Sequence, residues 1–178
     1  MENVLKRDFS TTTINEKWVG DITYIHTLKD GWTYLTSVMD LHSKKIIGYA
    51  YGKLMTTDIV LTALKNAYSS QNPPDGVIFH SDLGSEYTSI EVKETCKDLK
   101  IVQSFSKKGC PYDNACIESF HAILKKEEVY RTNYYDYYIA RIALFRFIEG
   151  WYNRRRINSS INYLTSDECE RESRKKVA

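Results

Sequence analysis

The change in hydrophobic periodicity near Thr57 constrains the fold of this chain more than any other feature of the sequence. Residues 17–52 alternate apolar with polar side chains, and Asp30-Gly31 is a typical hairpin turn. This pattern predicts three antiparallel strands, at 17–27, 32–40 and 45–52. After Thr57 the spacing becomes helical, so the antiparallel meander ends there.

The rest of the chain alternates helical and strand patterns. The predicted elements are a helix with Thr57 as its N-cap, a strand at 77–82, a helix at 88–99, a strand at 101–106, and helices at about 113–129 and 134–154. Thr88 followed by Glu91 is a capping signal for the helix at 88–99. Strands in a meander followed by this alternation predict an α/β fold, with a mixed five-stranded sheet between helices on both faces.

Composition limits the class of protein. The 178 residues are 42% hydrophobic and 27% charged, which is typical of one globular domain with its own core. No apolar run approaches the roughly 18 residues needed to span a membrane, and the N-terminus lacks a secretory signal. The four cysteines show no CxxC pair, so we expect reduced thiols and an intracellular protein.

The sequence suggests three regions. Residues 1–16 have no clear periodicity and are predicted to be an extended lead-in, 17–155 form the core, and 156–178 form a polar, basic tail. From position 141 onward there are nine Lys and Arg side chains against five acids. On charge alone, contact with phosphates and a solvated helix end are equally supported.

Three acids occupy positions that structure alone explains poorly. Asp21 lies within a predicted strand, Asp82 ends an apolar strand, and Glu118 lies on a predicted helix. Carboxylates are the ligands that Mg²⁺ and Mn²⁺ prefer. Spacing alone leaves open the structural alternatives of a strand-edge aspartate, a turn aspartate and a helix-surface glutamate.

The segments around these acids resemble a known family. They are WVGDITYI, FHSDLGSEYTS, SFSKKGCPYDNACIESFHAILKKE and a helix ending in WYNRRR. In this order they are similar to the catalytic cores of OrfB-type bacterial insertion-sequence transposases, which resemble retroviral integrases. Residues 83–117, 35 in all, separate Asp82 from Glu118, which matches the family's DD(35)E arrangement. The resemblance extends from about Trp18 to about Leu164.

The resemblance implies an RNase H-like fold and a catalytic, metal-binding triad of Asp21, Asp82 and Glu118. It implies two Mg²⁺ or Mn²⁺ ions per site, cleavage at the 3′ ends of transposon DNA, and strand transfer into target DNA. The three carboxyl groups should then lie within about 4–6 Å of one another.

Several other residues are candidates for DNA contact. Lys125 lies two helical turns after Glu118 on the same face, and the resemblance implies that it contacts DNA. Lys107 and Lys108 could meet phosphates from the loop before that helix. Asn114 could also approach DNA, although capping the Glu118 helix is the favoured interpretation.

Two histidines could flank the catalytic acids. His80 lies in the matched HSD segment and could support Asp82 from behind. His121 follows Glu118 by three residues and could also lie beside the site.

The expected partners are the transposon ends, the target DNA and further copies of the chain in a synaptic complex. Specific recognition of the ends is expected to need an N-terminal region outside this sequence or a partner protein. We expect a bacterial cytoplasmic protein that acts at the nucleoid and does not enter membranes. Two alternatives remain: a related metal-dependent nuclease, and a catalytically silent remnant that serves as a DNA-binding or dimerisation module.

Overall fold

The computed structural model describes residues 2–6, 8–106 and 114–177. The strands are β1 (Lys17–Thr27), β2 (Gly31–Asp40), β3 (Ile46–Gly52), β4 (Ile78–Ser81) and β5 (Val102–Phe105). They form one sheet in the order β3-β2-β1-β4-β5. The first three strands are antiparallel, whereas β4 and β5 run parallel to β1. The predicted mixed five-stranded sheet is confirmed.

The four predicted helices occur in the predicted order with changes at their ends, and two helices that were not predicted, at 85–88 and 166–177, are also present. In chain order the helices are α1 (Thr57–Gln71), α2 (Ser85–Thr88), α3 (Ile90–Asp98), α4 (Ala115–Glu127), α5 (Tyr137–Phe145) and α6 (Ser166–Val177). Wider helical turns continue α5 through Arg146–Tyr152.

Two predicted caps were wrong by one residue. The N-cap of α1 is Thr56 rather than Thr57. At α3 the cap is Ser89, whose hydroxyl accepts the N–H of Val92 at 3.3 Å. Thr88 cannot take that position because it completes the preceding short helix α2.

Apolar side chains cover both faces of the sheet. On one face Val19 and Ile25 of β1 pack with Phe120 of α4, together with residues of α5. On the other face Trp18 and Phe79 pack with residues of α1 and α3. Alternate residues of β1 therefore enter different cores, as a period of two requires. The predicted placement of helices on both faces is confirmed.

The C-terminal segment has more structure than the sequence indicated. A short hairpin of β6 (Ile157–Asn158) and β7 (Leu164–Thr165) leads into α6. Lys45 Nζ lies 2.6 Å from Glu170 Oε2, and Arg174 donates to Gln71 Oε1 at 2.9 Å. These polar contacts hold α6 against β3 and the end of α1.

The described residues before β1 contain no helix or strand, although Leu5 is buried with the side chains around α4. Cys96, Cys116 and Cys169 are free thiols, and Cys110 lies outside the described residues. Within the described ranges no helix is long and apolar enough to cross a bilayer.

Candidate active site

Asp21 and Asp82 lie beside each other where β1 and β4 separate. The two strands are parallel, and their last paired residues are Val19 and His80. The same register, carried two residues farther, sets Asp21 opposite Asp82. Desolvation by the surrounding protein raises the pKa of Asp82, and the negative charge of Asp21 raises it further. The two carboxylates are therefore close enough to repel each other.

The backbone that follows β4 orients Asp82. The N–H of Gly84 donates to Asp82 Oδ1 at 3.0 Å, which opposes the rise in the pKa of Asp82. A Cβ atom at Gly84 would lie only 3.0 Å from the same oxygen, so the absence of a side chain lets the loop close over the carboxylate. The chain then enters α2, which brings the carboxylate of Glu86 near Asp82.

Tyr87 lies buried close to these acids. Burial raises the pKa of its hydroxyl well above the usual range, and the charges of Asp21, Asp82 and Glu86 add to the rise. Tyr87 also packs beside the ring of Phe79, with ring centroids 6.1 Å apart, which anchors α2 to the sheet.

Helix α4 contacts the same part of β1. The amide of Asn114 donates to the carbonyl of Gly20 at 3.4 Å, and His121 Nδ1 lies 3.4 Å from Asp21 Oδ2. Glu118 lies one helical turn from each of these residues, on the stripe that they define. Its side chain is exposed. The helix therefore brings the third acid to the neighbourhood of Asp21.

The chemistry of these donors fits a hard divalent cation. Asp21 and Asp82 offer carboxylate oxygens, and their mutual repulsion would be relieved by a positive charge between them. His121 Nε2 and Asn114 Oδ1 are buried and have no hydrogen-bond partner among the described residues. Polar atoms of this kind are costly unless another group satisfies them.

The expected close cluster of three carboxylates is not formed. In the described part of the chain, no three His, Cys, Asp or Glu side chains lie near enough to hold one metal ion. The side chain of Glu118 is exposed to solvent. The assignment of all three acids to metal therefore stays a prediction.

The other described candidates for DNA contact do not lie together. Lys125 lines a surface groove beside the far end of β1, and its contact with DNA stays a prediction. Lys107 and Lys108 lie outside the described residues. Asn114 is the N-cap residue of α4, but its side chain does not cap the helix, so that prediction was wrong. Its amide is instead buried against Gly20, and its predicted DNA contact is untested.

Two further polar residues, His80 and Asp40, are buried, and the predicted support of Asp82 by His80 stays a prediction. His80 is fully buried, and its Nδ1 lies 2.8 Å from the hydroxyl of Ser104 on β5. It thus links β4 to β5. Asp40 accepts the N–H groups of Asn15 and Ser43, each at 2.8 Å, and so stabilises the turn after β2. Burial raises the pKa of Asp40 despite those bonds.

Tyr87 is the residue of the site that sequence reasoning missed. It belongs to the segment HSDLGSEY, in which the sequence pointed only to His80 and Asp82. Tyr87 is the third residue of α2, which has a single turn. One turn is too short to show a helical period in the sequence, so no periodic pattern pointed to Tyr87.

A mixed sheet in this order, with one aspartate in β1 and its neighbour directly after the parallel strand β4, defines an RNase H-like core. Among solved structures, the chain is similar to the HTLV-2 integrase catalytic core domain in complex with magnesium, with a TM-score of 0.68 and 19% identity over 90% of this chain and 99% of that one. It is also similar to a chain of the simian T-cell lymphotropic virus intasome in complex with PP2A regulatory subunit B56 gamma. That match has a TM-score of 0.73 and 21% identity, covering 90% of this chain and 55% of the other. The predicted RNase H-like fold is confirmed.

Sequence comparison places the chain within this class. One family model described as "Integrase core domain" matches residues 12–111, and a second with the same description matches residues 99–165. The chain belongs to the integrase core domain family.

Its relatives include bacterial transposases. The chain is 39% identical over 169 residues to Transposase InsF for insertion sequence IS3A of Escherichia coli, covering 95% of this chain and 58% of the relative. It is 35% identical over 169 residues to the transposase for insertion sequence element IS904 of Lactococcus lactis, covering 95% and 66%. The chain thus spans less than two thirds of the length of either. The resemblance to insertion-sequence transposases with an integrase-like core is confirmed.

Proposed function

We propose that this chain is the catalytic core of a DNA transposase in which Asp21, Asp82 and Glu118 form the catalytic, metal-binding triad. One observation carries the proposal: the register of β4 on β1 brings Asp21 and Asp82 together where these two interior strands of an integrase-type sheet separate. The contact between His121 and Asp21 supports the inclusion of Glu118, because it holds α4 against the same strand.

The chain's own residues prepare the site for a scissile phosphate. Gly84 fixes one oxygen of Asp82, and His121 lies against one oxygen of Asp21, so each carboxylate keeps its second oxygen for a ligand. Glu118 can approach from α4, where its exposed side chain has rotational freedom. Lys125, farther along the same helix, would contact a DNA phosphate.

The proposed reaction has two transfers at phosphorus. Water breaks a phosphodiester at a transposon end and releases a 3′-hydroxyl, which then attacks a phosphodiester of the target and displaces its 3′ oxygen. Two Mg²⁺ or Mn²⁺ ions held by the triad would supply the charge that stabilises the attacking and leaving oxygens. The protein contributes position and a fixed electrostatic environment.

The wider assembly belongs to the proposal as well. Transposon ends and target DNA are the proposed partners, and joining two ends requires at least two copies of the chain. Recognition of a particular end sequence would depend on a region outside this chain or on a partner protein. Action at the bacterial nucleoid, within the cytoplasm, follows from these partners.

The test is incubation of the chain with DNA carrying the ends of its element, any partner protein and Mn²⁺, followed by analysis of 3′-end cleavage and strand-transfer products. Glu118→Gln should abolish both products because it removes a charge from the triad and preserves its shape. The matched control is Glu94→Gln, which changes an exposed glutamate on α3 and should retain activity. An active Glu118→Gln variant would exclude this triad, and products limited to hydrolysis would favour the nuclease alternative.

A further inference from the structure

An aromatic groove lies beside the far end of β1, and apart from Lys125 its residues have no role in the proposed chemistry. It has a volume of about 760 Å³ and is lined by side chains that include Tyr24, His26, Trp32, Tyr34, Lys125 and Tyr130. We call these six residues the aromatic groove. Four of them stand on the strands β1 and β2, and two stand on α4 and the helical turn that follows it.

The register of the hairpin forms the floor of the groove. Tyr24 is paired with Tyr34, and His26 is paired with Trp32. The rings of the first pair are 5.4 Å apart at 65°, and those of the second are 5.1 Å apart at 77°. Edge-to-face pairs of this kind hold their rings in place. In such a pair, the ring that presents its edge has neither of its faces covered by its partner.

Three aromatic side chains of the groove are largely exposed, so they do not contribute to the packed core. Tyr24 is 48% exposed, Trp32 is 59% exposed and Tyr130 is 77% exposed. The opposite face of the same hairpin buries Ile25 completely, so the strands have a packed side and an open side. Contiguous exposed apolar surface of this kind marks an interaction site.

The charge of the groove indicates what it binds. Among the described residues that line it there is no Asp or Glu, and Lys125 contributes a positive charge. Uncovered aromatic faces stack on nucleobases, and a neighbouring lysine pairs with phosphate. An apolar peptide would use the rings and leave the lysine unmatched. Unpaired nucleotides use both.

Helix α4 connects the groove with Glu118 of the proposed triad. Lys125 lies seven residues after Glu118 on α4. Seven residues of helix span about 10 Å on one face, a distance of only a few nucleotides. We propose that the aromatic groove binds unpaired nucleotides of single-stranded DNA next to the phosphodiester held at Asp21 and Asp82. This inference rests on the proposed function and adds a binding site for a frayed or flanking strand.

Binding of DNA without catalysis tests the inference. The full chain is titrated in EDTA with a blunt duplex and with the same duplex carrying a short unpaired oligothymidine extension. Wild-type protein should bind the extended duplex more tightly, with quenching of Trp32 fluorescence. Trp32→Ala should weaken binding of the extended duplex about tenfold, the effect of one lost stack, and leave the blunt duplex unchanged. Trp32→Phe should retain most of the preference.

Trp151→Ala is the matched control, since Trp151 is 44% exposed and donates to Glu127 outside the groove. It should keep the wild-type preference. An equal preference in wild type and Trp32→Ala would overturn the inference. Self-association of the chain that disappears in Trp32→Ala would overturn it too, because the groove would then hold a second copy.

The two proposals fail in different ways. In one case, Trp32→Ala loses the preference for unpaired DNA and wild type shows no Mn²⁺-dependent cleavage. The groove would then remain a DNA-binding site, and the proposed catalytic triad would be rejected. In the other case, wild type cleaves DNA but binds the extended duplex no more tightly than the blunt duplex. Only the proposed role of the groove would then be rejected.

Discussion

His121 Nδ1 lies 3.4 Å from Asp21 Oδ2, and this contact joins α4 to the strand that carries the first acid of the proposed triad. The histidine is almost fully buried, so the contact is shielded from solvent. Residues that orient a ligand carboxylate from behind are commonly worth a factor of about 10–100 in metal affinity or activity. His121 is therefore a positioning residue in the proposed mechanism.

His121→Ala should reduce strand transfer by about 10–100-fold and raise the Mn²⁺ concentration needed for half-maximal activity. His121→Asn keeps a donor of similar reach and should recover part of the loss. Rates measured against Mn²⁺ concentration, at saturating DNA, check both expectations. If His121→Ala needed no more Mn²⁺ than wild type, the contact with Asp21 would have only a structural role.

Asp82→Asn should make the metal-free protein more stable while it abolishes activity. Desolvation and the charges of Asp21 and Glu86 raise the pKa of Asp82, so its ionised form weakens the fold at neutral pH. Since Asp82 is exposed and partly screened, we expect a gain of no more than about 1 kcal/mol, or about 2–4 °C in melting temperature.

Thermal unfolding with and without Mg²⁺ measures this effect. Mg²⁺ should stabilise wild type and have a much smaller effect on Asp82→Asn. Asp75→Asn is the control, since Asp75 is an exposed residue paired with Lys100 at 2.6 Å, away from the acids. A lower melting temperature for Asp82→Asn in EDTA would contradict the proposed repulsion.

Gly20→Ala should damage both the fold and the site. A Cβ atom at Gly20 would lie 2.6 Å from two ring atoms of Phe79, which is itself buried. Relief of that clash requires movement of β1 next to Asp21, at a cost of about 1–3 kcal/mol. Gly150→Ala is the control because its Cβ would meet nothing within 4 Å, and in a helix it should stabilise by about 0.5–1 kcal/mol. Equal denaturation midpoints for both variants would argue against tight packing at Gly20.

The alternation of residues 17–27 predicts a strand from the sequence alone, and it also predicts the face of that strand on which Asp21 lies. A period of two fixes which side chains share a face, so Asp21 had to lie on the face of Val19 and Ile25. The pairing of Val19 with His80 could not be predicted in the same way. Register between strands far apart in sequence depends on the packing of the helices between them.

The C-terminal helix α6, in contrast, was not predicted from the sequence. Its sequence is mostly polar and shows no apolar periodicity, so the sequence predicted a tail. What holds α6 in place is a set of ion pairs with Lys45 and of hydrogen bonds with Gln71, both far away in the chain. A local pattern carries no information about such partners, because hydrophobic periodicity reports only apolar burial.

These ion pairs give the attachment of α6 a defined pH dependence. Burial alone would raise the pKa of Glu170, but its hydrogen bonds with Lys45 and Arg174 outweigh burial and hold the pKa below its ordinary value of 4.5. A carboxyl with a lowered pKa contributes stability that is present above about pH 4.5 and is lost as the pH falls through the folded-state pKa. Acidification should therefore loosen α6 before the sheet unfolds.

Glu170→Gln should lower the free energy of unfolding by about 1–3 kcal/mol at neutral pH, because it leaves Lys45 without one of its charged partners in a half-buried position. The difference between wild type and variant should shrink steadily below about pH 4.5, where wild type also loses the charge. Urea unfolding at a series of pH values measures both parts. Glu172→Gln, an exposed change on the same helix, should differ little from wild type at any pH. A gap between wild type and Glu170→Gln that stays constant from neutral to acidic pH would show that the charge of Glu170 does not stabilise the attachment.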